Sequence, residues 1–372
     1  MKFQRILLFV FMGLASLLLT GCGGAPLTNW PGIASDGTNV YLSNGQHVYT
    51  VRVKDGQELT TITPDGEVPV RFPIKPDGNM TFYGAPALIP GGQMVVGNAS
   101  SATNVHDLYS VDPSSSAIKW TFADAKGIWI AGAAVGADAV YAAAGDGKVY
   151  AVDFKGQKLW ETSVSTDALW STPITDGKSV YVATLSHHIV ALDPATGKQR
   201  WTIGLDNAVV GPPAVGDGKL YVGTLSGNLY AINATEGSQV WLTTLQGSIW
   251  STPTLDGDTL YIGTSNETAG KFYAINTADG KTLYTLDDSG AIVASPLVTE
   301  DQIIYVTEEG YIKFLNKKDG TPSLSSIQIE NAKIYTTPIL VNDLLLIAPM
   351  NAQFILAAYN RNGVQQWAFT PK

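Results

Sequence analysis

The chain has a single cysteine, Cys22, among 372 residues. No intramolecular disulfide is therefore possible, and no multi-cysteine metal site. Histidine is almost as scarce, with only His47, His106, His187 and His188. The adjacent pair His187-His188 falls at the turn between the second and third strands of a repeat. Neighbouring side chains on a strand point to opposite faces, so the pair reads as an exposed polar turn and not as a chelate. Charged side chains are only 15% of the chain, and the formal charge is −9. No basic stripe is present to neutralise phosphates, which excludes nucleic acid as a partner and electrostatic docking on anionic lipid. The glycine-rich spots are hairpin turns without the spacing of a phosphate-binding loop. Helix-period stretches are scarce beyond the N-terminus. No catalytic constellation, metal or cofactor is expected.

Apolar residues, in contrast, are abundant at 45%, ample for a large core. Glycine (38), tyrosine (16) and tryptophan (9) are plentiful. Turn residues spaced among short β-branched and aromatic runs point to an all-β fold.

The N-terminus reads differently from the rest. Lys2 and Arg5 form a basic start, Ile6 to Leu19 an apolar stretch, and Leu19-Thr20-Gly21-Cys22 a small-residue site ending in cysteine. This resembles the bacterial lipobox, in which the cysteine is acylated and becomes the new N-terminus. The apolar stretch is short for a comfortable span, and Gly23-Gly24-Ala25-Pro26 follows it instead of a basic flank. Residues 1–21 are expected to be a lipoprotein signal peptide and residues 22–29 a tether lipidated at Cys22 and reaching roughly 25 Å. Removal of Lys2 and Arg5 leaves a more acidic remainder. The expected place is the extracytoplasmic side of the cell envelope. In a two-membrane envelope that is the outer membrane facing the periplasm; otherwise it is the outer face of the cell membrane.

Self-similarity dominates residues 30–372. Tyr141, Tyr181, Tyr221 and Tyr261 are spaced by forty residues, and Tyr305, Leu346, Val95 and Tyr41 are placed as the same position in other copies. Gly156, Gly197, Gly237, Gly280, Gly320 and Gly363 mark turns, and four residues later come Trp160, Trp201, Trp241, Tyr284, Leu324 and Trp367. Trp120 takes that place in the second copy, and Gly56 marks the turn in the first. Eight units of about 43 residues, each with four short strands, match propeller blades; a solenoid coil of that length would carry helix. An eight-bladed β-propeller of four-stranded antiparallel blades is expected. In the fourth unit the innermost strand is placed from Ser171-Thr172-Pro173, the second over 179–183, the third over 189–193, and the outermost around Arg200-Trp201-Thr202. Trp120, Trp160, Trp201, Trp241 and Trp367 are expected to cover the seams between blades. The last blade is expected to be complete by itself and to meet the first through apolar contacts without hydrogen-bonded closure.

The run Val180-Tyr181-Val182-Ala183 with Ala191-Leu192-Asp193-Pro194-Ala195-Thr196-Gly197-Lys198-Gln199-Arg200-Trp201 resembles the pyrroloquinoline-quinone-type propeller repeat. The resemblance covers essentially all of residues 30–372 and is specific for fold. Quinoprotein dehydrogenases of that repeat type commonly hold their cofactor with acidic and amide ligands beside a vicinal disulfide. Here no Cys-Cys pair exists, and Asp112, Asp153 and Asp193 recur at turn-closing positions, which marks scaffold. Within the repeat type the chain resembles the propeller lipoproteins of outer-membrane protein assembly, the BamB family. That resemblance implies a non-enzymatic, membrane-anchored interaction scaffold.

Counting back eleven residues from the reference position gives Trp30, Ile130, Trp170, Val210, Trp250 and Tyr335, with Tyr83 and Val293 completing the set when inserts are allowed. These lie where the innermost strands begin. Packing between blades would explain them; so would a rim, built on Trp30, Tyr83, Trp170, Trp250 and Tyr335, for a partner or ligand. Longer hairpins at 98–107 and 265–270 are expected on the same face. Two readings stay open: a monomeric scaffold for another envelope protein, and a small-ligand or glycan module using the axial channel.

Overall fold

The computed structural model describes residues 30–64, 66–74, 80–100, 106–266 and 269–372. The expected signal peptide and tether, with Cys22, fall in residues 1–29 and lie outside the described residues. The described chain forms eight four-stranded antiparallel sheets and one two-stranded hairpin, with no helix among the described residues. The sheets follow one another as the blades of an eight-bladed propeller. Blade four is representative, with strands Ile174–Thr175, Val180–Ala183, His188–Leu192 and Gln199–Gly204 from the axis outward. Its ladder begins three residues later than Ser171, because Thr172 bonds to the neighbouring blade: its Oγ1 accepts from Gly132 N at 3.0 Å.

Position in the ring explains the burial of each strand. The second and third strands are covered by blades on both sides, so they are apolar on both faces; Val182 and Ile189 are fully buried. Outer strands such as Lys158–Ser163 are half covered and alternate between exposed and buried residues. Within the blades a bulky residue faces a small one across the ladder. Tyr141, Tyr181, Tyr221 and Tyr261 lie opposite Ala151, Ala191, Ala231 and Ala274. Each tyrosine packs toward the following blade.

Blade seven departs from the expected register. Its second strand, Gln302–Val306, pairs Ile304 with Phe314, and Ile304 packs against Leu345 and Ile347 of blade eight. Ile304, not Tyr305, therefore occupies the place of Tyr261. Tyr305 faces back toward blade six, against Tyr261 and Phe272. A one-residue shift along a strand reverses the face a side chain presents.

Blade one carries an insertion. After its inner strands Gly32–Ser35, Asn39–Asn44 and His47–Arg52, a separate hairpin, Thr60–Thr63 with Gly66–Pro69, precedes the short outer strand Arg71–Phe72. Arg71 reaches back under it to pair with Glu58 at 2.5 Å and lies over the Tyr49 ring.

Blade eight is Ile339–Val341, Leu344–Ile347, Leu356–Asn360 and Gln365–Phe369, all from one continuous stretch. Its contact with blade one includes the apolar cluster of Leu346, Leu356 and Ala358 with Ile33, Val40 and Leu42. The expectation that closure lacks hydrogen bonds is corrected here. Thr336 Oγ1 donates to Pro31 O at 2.5 Å, Asn342 Nδ2 to Gly37 O at 2.7 Å, and Trp367 Nε1 to Val53 O at 2.9 Å. Side chains supply the bonds that a shared strand would otherwise make.

Candidate functional site

Seven of the segments leading into the innermost strands obey one local rule among the described residues: a buried apolar residue, then a partly exposed one. Phe82, Trp129, Leu169, Val209, Ile249, Ile292 and Ile334 are buried anchors. The next residues, Tyr83, Ile130, Trp170, Val210, Trp250, Val293 and Tyr335, are half-buried, and Trp30 is 41% exposed. The anchor amides are tied to the hairpin joining second and third strands of the preceding blade. Leu169 N donates to Ala144 O, Ile249 N to Thr224 O, and Ile334 N to Glu308 O. The rim residues and these hairpins therefore share one face of the propeller.

Just inside the rim the blades crowd together around the axis. A Cβ on Gly32 would lie 2.4 Å from Ala85 N, and one on Gly84 2.6 Å from Gly132 N, so backbone meets backbone there. Farther round, hydroxyls bridge the blades: Thr252 N donates to Ser295 Oγ and Ser295 N to Thr337 Oγ1. The inner ends of these blades thus meet through backbone and hydroxyl groups. Among the described residues no three His, Cys, Asp or Glu side chains converge as a metal ion would require. The recurring acids serve turns. Asp153 Oδ1 accepts from Lys155 N and Gln157 N, Asp193 Oδ1 from Ala195 N and Thr196 N, and Asp112 Oδ1 from Ser114 N. The recurring acids are thus turn-bound, unlike the acidic ligand set that the dehydrogenases of this repeat type use.

The structure brings two rim aromatics together and leaves three apart. Trp30 and Tyr335 have ring centroids 5.9 Å apart across the closing seam. Tyr335 donates to Glu308 Oε1 at 2.9 Å, and Lys333 pairs with the same oxygen at 3.1 Å. Burial, with the Glu308 charge beside it, pushes the Tyr335 phenol well above the ordinary tyrosine range. Tyr83, Trp170 and Trp250 have no ring partner among the described residues, so the rim is a set of separate anchors and not a continuous aromatic belt. Between them stand carboxylates held by tyrosines: Tyr150 donates to Asp146 at 2.6 Å and Tyr230 to Asp206 at 2.9 Å. Burial raises the Asp206 carboxyl, but hydrogen bonds from Ser226, Tyr230, Asn228 and Thr224 outweigh it and hold the group below its usual value. His187 occupies the left-handed turn position, φ 69°, that Gly147 and Gly227 fill elsewhere, and His188 Nδ1 donates to Ser186 O.

The tryptophans of the outer strands lie at the seams. Trp120, Trp160, Trp201, Trp241 and Trp367 donate through Nε1 to Phe154, Pro194, Ala234, Thr277 and Val53 carbonyls of the following blade, at 2.9–3.1 Å. Each indole also lies on a turn glycine of that blade: Gly156, Gly197, Gly237, Gly280 and Gly56. In blade seven Ile327, not Leu324, meets the corresponding Gly363. Sequence reading missed Trp129, which is buried, donates to His106 O at 2.8 Å and thereby pins the long hairpin of blade two. Its signal was present as a tryptophan beside Ile130, but only Ile130 matched the rim spacing.

A family model described as "Outer membrane protein assembly factor BamB" matches residues 29–186, 104–209, 145–248, 185–269 and 227–370, together nearly all of the propeller. Comparison with curated protein sequences gives no match. Among solved structures, BamB from Moraxella catarrhalis superposes with a TM-score of 0.67 at 20% identity, covering 95% of this chain and 100% of that one. The computationally designed protein Ika8 gives 0.65 at 14% identity, covering 78% of this chain and 87% of its own. Both likenesses speak to the propeller fold. The family match, spanning the repeats from blade one to blade eight, goes further: this chain belongs to the family of the outer membrane protein assembly factor BamB.

Proposed function

We propose that the protein is a non-enzymatic scaffold, tethered to the membrane through Cys22, that docks another envelope protein during outer-membrane protein assembly. The observation that carries the reading is the rim face. Eight partly exposed positions, five of them aromatic, ring this face, and seven of them follow buried anchors whose amides are hydrogen-bonded to neighbouring hairpins. Rigidly seated aromatic side chains with little left to order are what protein interfaces use as anchors. The turn-bound acids favour a scaffold over quinone-dependent catalysis. The propeller itself is read as a monomer, since its ring is closed by its own last blade.

A photo-crosslinking residue placed at Trp170 or Trp250 in the native lipoprotein tests this, with mass spectrometry of the adducts. Crosslinks to a barrel-inserting or other assembly component, and none from a control site such as Val240 on the outer edge, are expected. Equal labelling from both positions would remove the rim face as the docking site.

A further inference from the structure

Six of the eight seams hold an aromatic ring on the glycine of the next blade: Trp120, Trp160, Trp201, Trp241, Tyr284 and Trp367. The seam between blades one and two lacks one but is filled by Phe72, whose ring meets those of Phe82 and Tyr109. Between blades seven and eight the outer-strand ring is lost, and only the tip of the Phe314 ring comes near Gly363, at 3.8 Å from a Cβ placed there. The outer strand of blade seven is only Ile327–Gln328, and from that strand Ile327 takes the indole's place on Gly363. An open cleft of about 500 Å³ remains there.

The cleft has a definite shape and chemistry. One lip is Ile329–Asn331 and the other Asn351–Phe354. Two hydrogen bonds between Lys333 and Met350, N to O in both directions, tie the lips together at 2.9 and 2.8 Å. Asn331 and Asn351 both adopt left-handed backbone, φ 58° and 60°, a conformation that asparagine tolerates better than most residues. The side-chain amides of Gln328, Asn331, Asn351 and Gln353 line the cleft and make no hydrogen bond to the rest of the described chain. Each amide offers two donors and an acceptor. Phe354 and Tyr359 add aromatic surface, and Glu330 is the one charged residue in the lining.

This lining selects among ligand classes. With no lysine or arginine to supply positive charge, and with Glu330 in the lining, it disfavours a phosphate or carboxylate. A two-residue strand edge is too short to register an extended peptide, whose affinity comes from main-chain pairing. What remains is a neutral molecule with hydroxyls that both donate and accept and with an apolar face for an aromatic ring. The volume lies within the ~300–1,000 Å³ typical of ligand sites. We infer that the cleft between blades seven and eight binds a neutral saccharide of one or two rings, lodged where five of the other seams hold an indole. The site is separate from the axial channel and from the rim aromatics, and it does not rest on the docking role.

The test is saturation-transfer NMR on the full lipoprotein in detergent, using cellobiose, maltose and N,N′-diacetylchitobiose at millimolar concentration. Two variants accompany the native chain. Ile327→Trp restores the seam indole and fills the cleft; Asn351→Gly removes one amide while keeping a residue suited to left-handed backbone. Transfer to at least one sugar is expected in the native chain. It should be abolished by Ile327→Trp, whose melting temperature should not fall, and Asn351→Gly should weaken it at least about fivefold. No transfer to any of the three sugars would overturn the inference. So would binding that survives unchanged in a folded Ile327→Trp protein, which would put the sugar elsewhere on the propeller.

Discussion

Trp367 lies on Gly56 across the junction of the last blade with the first: a Cβ there would fall 2.5 Å from the indole ring. The same geometry joins Trp160 to Gly197 and Trp241 to Gly280 inside the ring. The closing seam is therefore built like the internal ones, and the glycine and the tryptophan form one device. The glycine gives left-handed backbone for the turn and also a flat surface for the neighbour's ring.

Gly197→Ala and Gly177→Ala separate these two roles. Both glycines have positive φ, 70° and 79°, so either alanine costs about 1–2 kcal/mol in left-handed backbone. Only at Gly197 would the added methyl also meet an indole, 2.6 Å from Trp160; around Gly177 the space is empty. Urea unfolding should show a distinctly larger loss for Gly197→Ala. Equal losses would mean that the Trp160 contact yields easily.

Trp241 is 8% exposed, and its replacement by alanine should cost about 3–5 kcal/mol, the usual range for deleting a buried large aromatic. Trp241→Phe should cost less, though it removes the Nε1 bond to the Thr277 carbonyl at 3.0 Å and leaves that oxygen only the longer bond from Lys219 Nζ, at 3.5 Å. A melting temperature for Trp241→Ala within a degree or two of the native value would contradict this ranking.

Acid should weaken the fold through its turns. The Arg200 guanidinium, helped by the Thr196 hydroxyl, holds the Asp193 carboxyl at about 2, below its ordinary 3.8. A folded value below the unfolded one gives stability that is present above the unfolded pKa and lost as pH falls through the folded one. Asn fills the equivalent place as Asn233 and Asn276, so Asp193→Asn should keep the turn but not the titration. The stability difference between native and Asp193→Asn protein should be constant above about pH 5 and shrink steadily as pH falls towards about 2. A difference unchanged down to pH 2 would show that the ion pair does not couple to folding.

Hydrogen exchange should find the weakest seam. Blades seven and eight meet without an indole and around a cleft, whereas blades eight and one share three side-chain-to-backbone bonds. Amides of 311–328 and 344–360 should lose protection before those of blades four and five. Earliest loss in blade one instead would point to the closing seam.

For the anchor, Cys22→Ala should leave the precursor uncleaved and free of palmitate label. Equal labelling of mutant and native chains would remove the tether from the proposed function.

The repeat was legible wherever spacing stayed at forty residues, because tyrosine, glycine and tryptophan keep their phase there. It blurred where insertions fall. Blade six lengthens its hairpin by three residues, with Thr264 opposite Lys271 where blade five closes on Thr224 and Asn228. That moves the next reference position to Ile304, and the adjacent Tyr305 looked like the better match by residue type alone. Side chains alternate along a strand, so this small slip reversed a face. The blade-one hairpin, 60–69, hid for another reason: Thr60-Thr61-Ile62-Thr63 has the alternation of any outer strand. The rim positions followed from counting, but whether they touch depends on the diameter of the ring, which local pattern does not encode.

The bond from Trp367 to Val53 spans 314 positions of the chain. Contacts so far apart in sequence form late, because the intervening chain must be ordered before they return any stability. During synthesis, blade one must wait with its Gly56 turn uncovered while seven further blades are made and stacked. A growing chain thus presents a bare hydrophobic flank for most of its production, and the arrival of one tryptophan marks the moment it stops needing protection.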